Sequence, residues 1–143
     1  MRIPTLASTS IGAAGNLKVT NNLGLGSTAG GTVITGSGGY VALGNGVKVT
    51  GETITIQGAG TNSAGALQTD GSAVAEWAGN VILNGSSRIG GGAGGTITIS
   101  GVISGVGAGV LFSRADNSTT ILNAVNTYTG DTQLFAITAR ATS

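Results

Sequence analysis

The groups able to do proton chemistry along this chain are few. Its acids are Glu52, Asp70, Glu76, Asp116 and Asp131, and it has neither histidine nor cysteine. The usual general base and the usual imidazole metal ligand are therefore missing, so a Ser-His-Asp machine cannot be built. Disulfide frameworks, thiolate metal sites and cysteine nucleophiles are excluded on the same ground. What remains is carboxylate chemistry of the kind that cleaves polysaccharides, for which Asp70 and Glu76 are a pair that could serve as acid and base. Each acid stands alone in the sequence, however, and aromatic residues make up only 3% of the chain, too few to build sugar-stacking platforms. Surface solubility accounts for all of the acids, and no enzyme, metal or cofactor is expected.

The remaining candidate motifs read the same way. The glycine runs "GLGSTAGG" (24–31) and "IGGGAGGT" (89–96) lack both the Gly-Lys-Ser/Thr ending of a phosphate loop and a helix to follow. Calcium-binding nonapeptides place Asp after the glycines, where "GGAGGTIT" has Thr. Thr53, Thr55, Thr96 and Thr98, with Thr119 and Thr120, could align as an outward ladder of hydroxyls, although loops of unequal length break the array and β-propensity explains threonine equally well. The sequons at Asn84 and Asn117 read as turns or asparagine stacks. Tyr128 reads as a corner residue, and Trp77 as part of an insertion packed over a flank.

Charge excludes another class. The basic residues Arg2, Lys18, Lys48, Arg88, Arg114 and Arg140 are scattered singly, and the net charge is +1. That is no footprint for nucleic acid. No segment approaches the roughly 20 apolar residues of a membrane span, so membrane insertion by this segment is not expected. The opening "MRIPTLASTSIGAAGN" lacks the apolar run of about 7–15 residues at the heart of a signal peptide. Export would then depend on a signal already removed or lying upstream.

Hydrophobic patterning supplies the architecture. Alternation of apolar and polar residues predicts strands at 16–20, 31–35, 40–43, 47–50, 53–57, 80–84, 95–100, 109–112, 119–123 and 132–137, separated by Gly, Asn and Ser clusters. Helix is disfavoured, since each Gly costs about 1 kcal/mol against Ala and 28 are present. The one stretch compatible with a helical turn is "GSAVAEWAGN" (71–80). "GETITIQGAG" (51–60) returns as "GGTITISGVI" (94–103), a shift of 43 residues that marks repeat architecture.

Burying one Ile is worth about 1.5–3 kcal/mol, whereas ordering one backbone residue costs about 1–2 kcal/mol. A coil of about twenty residues therefore needs neighbours above and below. A single β-solenoid module over 1–143, with glycine at corners and Ile-x-Ile along walls, meets that need. The alternative is a β-sandwich.

Over 51–134, "ITIQGAGTNSAGALQT", "NVILNGSSRIGGGAGGTITISGVISG" and "ILNAVNTYTGDTQL" resemble the autotransporter-associated β-strand repeat family of bacterial surface proteins. Residues 1–50 match it only weakly. Gly101, Val102, Ile103, Ser104 and Gly105 fit its "GvisG" element, and Asn126, Thr127, Tyr128, Thr129 and Gly130, with Thr132, fit its "NtYtGgT" element. The family's "GxGtLtLsG" segment is replaced here by "GVLFSRADNSTTILN", and these 143 residues do not themselves include a C-terminal outer-membrane barrel. The resemblance implies a right-handed parallel β-helix exposed outside the cell and serving as a stalk.

The reading that follows is a structural, extracellular or cell-surface module that builds a fibre or stalk by stacking on copies of itself. Solenoid ends template association unless capped, and no cap is legible in the sequence. The apolar segment Thr132, Gln133, Leu134, Phe135, Ala136, Ile137, Thr138 and Ala139 is the expected joint. The alternative function is an adhesin or passenger segment, within a longer chain, that binds surface glycans or another surface ligand.

Overall fold

The computed structural model describes residues 8–113, 117–135 and 138–142. All regular structure in it is β, and every strand pair is parallel. The strands stack as a β-solenoid of about five coils with three walls. A β-sandwich, whose sheets are antiparallel, is thereby overturned.

Wall 1 consists of β1 (Thr9–Ile11), β3 (Thr32–Ile34), β6 (Ile54–Gly58), the first part of β9 (Val81–Gly90) and β11 (Ile103–Ser104). Wall 2 stacks β2 (Asn16–Val19), β4 (Tyr40–Leu43), β7 (Leu67–Thr69), the second part of β9, β12 (Val110–Ser113) and β14 (Thr132–Phe135). Wall 3 stacks β5 (Lys48–Val49), β8 (Val74–Trp77), β10 (Thr96–Ile99), β13 (Thr119–Leu122) and β15 (Thr138–Ala141). Strand β9 serves two walls: Val81 to Leu83 pair on wall 1, Ser87 to Ile89 on wall 2, and Gly85 between them takes a φ of 151°.

Registered partners fix the coil length. The steps from Thr9 to Thr32 and from Thr32 to Ile54 are 23 and 22 residues, and that from Val110 to Thr132 is again 22. Steps that span residues 59–64 are longer, 26 from Val41 to Leu67 and 28 from Lys48 to Glu76. The 43-residue echo is therefore not a multiple of the coil. Ile54 to Ile56 belong to wall 1, whereas "TITI" at 96–99 is β10 on wall 3.

The core lies inside the three walls. Successive side chains alternate across a strand, so Ile54 and Ile56 of β6 and Ile97 and Ile99 of β10 point inward and are buried. Stacking converts that alternation into columns: Val49, Trp77, Ile99 and Leu122 follow one another up wall 3. Trp77 is 0% exposed and belongs to the core cluster. Two expectations fall here: residues 74–77 form a strand rather than a helical turn, and Trp77 fills the interior rather than a flank.

The corner leading into wall 1 is the tightest. A Cβ at Gly79 would stand 1.6 Å from the Glu52 carbonyl oxygen, and one at Gly101 would stand 1.9 Å from that of Gly79. Backbones of successive coils touch there, which only glycine permits.

Candidate assembly interface

The chemistry-bearing residues are dispersed. Asp70, at the end of β7, pairs with Lys18 at 2.5 Å. Glu76, on wall 3, pairs with Lys48 at 3.4 Å and accepts a 2.6 Å hydrogen bond from Ser100 Oγ. Each partner of the acid-base candidate thus lies on a different wall with its own lysine. Glu52 is buried, Asp131 is exposed at the corner between walls 1 and 2, and Asp116 lies outside the described residues. No group of three or more metal-ligating side chains occurs among the described residues.

The threonines do not form one array. Thr96, Thr119 and Thr138 are in register on wall 3, but Thr98 sits between Glu76 and Ile121, Thr55 lies on wall 1 between Val33 and Ile82, and Thr120 is buried. The two sequon asparagines serve the surface backbone and its neighbours: Asn84 donates to Gln57 Oε1 at 3.3 Å, and Asn117 holds a φ of 60°.

The "NTYTG" element ties the last coil to the one beneath it. Asn126 Oδ1 accepts from the Ile103 N–H at 2.8 Å, and Thr129 Oγ1 accepts from the Gly107 N–H at 2.8 Å. The Thr127 and Thr129 N–H groups donate to the Ile103 and Gly105 carbonyls. Tyr128 packs against the core while its hydroxyl meets Thr132 Oγ1 at 2.6 Å. Gly130 lies on Ala108, where a Cβ would come within 2.3 Å of its backbone. Each conspicuous residue of the motif is accounted for by stacking.

That motif delivers the chain to β14, the first half of the expected joint. Thr132 to Phe135 pair with β12 on one side, and no strand covers the other side among the described residues. Leu134 is 59% exposed although it stacks directly on Phe112, which is 1% exposed. Of the remaining joint residues, Ala136 and Ile137 lie outside the described residues, while Thr138 and Ala139 open β15, which among the described residues pairs with β13 on one side only. The opposite end of wall 2 is β2, paired with β4 alone among the described residues. Sequence reasoning missed β2 as the other half of an end, although Leu17 in "NLKVT" carried the signal.

A groove of about 560 Å³ runs along the corner between walls 1 and 2, lined among others by Ala59, Arg88, Thr129, Asp131 and Gln133. Arg88 Nη1 donates to the Ser63 carbonyl on the 59–64 excursion. No helix among the described residues is long and apolar enough to cross a membrane. Fold and ends together define the chain as a parallel β-solenoid. Comparison with protein families, with curated proteins and with solved structures finds no match.

Proposed function

We propose that this chain is a structural, non-catalytic module of a bacterial cell surface or its exterior, which self-associates end to end into a fibre or stalk. The observation that carries the reading is β14: a regular strand whose outer edge no other described strand covers and whose Leu134 leaves an apolar side chain exposed. An open edge presents a row of N–H and C=O groups that pair with another chain, and the low charge of the protein, 8% of residues, offers little repulsion against approach. The surface location is supported by the resemblance to autotransporter-associated repeats. Electron microscopy of purified protein, combined with sedimentation across a dilution series, tests it: rods that lengthen with concentration are expected, and uniform single particles at every concentration rule it out.

A second reading is favoured by the corner groove, whose mixture of Arg88, Thr129, Asp131 and Gln133 offers both hydrogen-bond donors and acceptors. It makes the chain an adhesive segment for a surface glycan. A glycan array probed with the monomer tests it, and binding that survives alanine at Gln133 and Thr129 removes the groove from consideration.

A further inference from the structure

The three walls end differently. Wall 1 starts on β1 but finishes on residues 123–131, which form no strand; wall 3 finishes on β15 but starts on residues 20–31, which form none either. Over that first stretch Asn22 Oδ1, rather than a strand, accepts the Lys48 N–H at 2.8 Å. Among the described residues, wall 2 alone begins and ends on a regular strand, β2 and β14, each of four residues.

One inward column runs through wall 2 from end to end: Leu17, Val41, Leu67, Ile89, Phe112 and Leu134. Every member is aliphatic or aromatic. The inner four are at most 1% exposed, Leu17 is half-buried, and Leu134 is mostly exposed. Among the described residues the column stops at both ends on an apolar side chain, with no polar residue to close it.

We propose that the partner surface is a second copy of this chain, with β14 of one copy adding in parallel to β2 of the next so that Leu134 stacks on Leu17. This rests on the self-association reading and names its joint and register. The pairing keeps the parallel sense of every other strand pair and covers both open edges at once. It also places Gln133 opposite Asn16 on the outer face, amide to amide. Because the two surfaces differ, the contact is heterologous and propagates along a line.

Cross-linking tests the register, since the chain has no cysteine of its own. Within one molecule positions 16 and 133 are about 24 Å apart, five strand spacings of about 4.8 Å, beyond the roughly 7 Å limit for a disulfide. The double variant Asn16→Cys with Gln133→Cys should give a ladder of oligomers on a non-reducing gel. An equimolar mixture of the two single variants should give dimer only. Each single variant alone, and a Ser10→Cys/Gln133→Cys control that mispairs walls 1 and 2, should stay monomeric. Adding Leu134→Asp should cut the cross-linked fraction at least tenfold while leaving the circular dichroism spectrum unchanged. Covalent dimer from Gln133→Cys alone would mean that β14 meets β14 and overturns the register. Filaments in the microscope without a ladder overturn the wall 2 joint and leave self-association standing. Single particles without a ladder remove both.

Discussion

Glu52 and Thr32, one coil apart, meet inside the solenoid: Thr32 Oγ1 donates to Glu52 Oε1 at 2.7 Å, and the two residues are 0% and 2% exposed. Glu52 Oε2 has no hydrogen-bond partner among the described residues. A buried polar group that loses its only partner is destabilised by about 1–3 kcal/mol. Thr32→Val should therefore lower unfolding free energy by about that amount, whereas Thr32→Val combined with Glu52→Met should lose less than the sum of the single changes. Urea denaturation of the full double-mutant cycle measures this, and additive losses would show that the pair does not interact.

Trp77 offers a direct probe of the core. It is the sole tryptophan, so emission excited at the red edge of the tryptophan band, where the two tyrosines do not absorb, reports on wall 3 alone. Emission should be blue-shifted and resistant to iodide quenching, and Trp77→Ala should cost about 3–5 kcal/mol. A red-shifted, readily quenched signal would place the side chain in solvent.

Glycines at the corners should differ sharply in tolerance. At Gly79 and Gly101 a methyl group collides with the backbone of the coil beneath, whereas at Gly12 it meets nothing within 4 Å. Gly101→Ala should cost more than about 3 kcal/mol or prevent folding, while Gly12→Ala should stay within about 0.5 kcal/mol of the parent. Thermal melts of the two variants compare them, and equal shifts would refute the backbone contact.

The motif near the last coil can be dissected in the same way. Asn126→Ala removes the acceptor for the Ile103 N–H and should cost about 1–3 kcal/mol, while Tyr128→Phe loses only an exposed hydroxyl contact and should cost about 1 kcal/mol or less. Hydrogen exchange at Ile103 should accelerate in Asn126→Ala and stay unchanged in Tyr128→Phe.

The Lys18 and Asp70 pair, with both side chains about half exposed, makes a contrasting case. Asp70→Asn should change stability by no more than about 1 kcal/mol, with the difference shrinking in high salt. A larger, salt-independent loss would mean that the carboxylate does more than pair at the surface.

The places where the sequence was legible follow from what alternation encodes. In "TITI" the two isoleucines must share a face, so inward and outward residues were readable at 54–56 and 96–99, and each of the predicted strands overlaps an observed one. Alternation does not say which wall a strand joins, so the 51–60 and 94–103 echo paired segments from different walls. Strands β1, β7, β8, β11 and β15 were not predicted; of these, β7 and β8 escaped because "LQT" holds one aliphatic residue and "VAEW" reads as well for a helical turn. The strand state of β7 and β8 is imposed by neighbours: Leu67 stacks between Val41 and Ile89, and Trp77 between Val49 and Ile99. The end at β14 was readable as an apolar run, but the column that joins Leu17 to Leu134 along wall 2 was not, because it depends on strand register.

The excursion at 59–64 lengthens one coil, yet Leu67 and Ile89 fall back to a step of 22 immediately afterwards. The corner between walls 1 and 2 therefore takes up surplus residues without disturbing the layers on either side. A short foreign peptide inserted between Asn62 and Ser63, with Asn62 kept as the partner of buried Gln68 and Ser63 as that of Arg88, should ride outward on the scaffold, which makes this bend a natural graft point for displaying an epitope or an affinity tag.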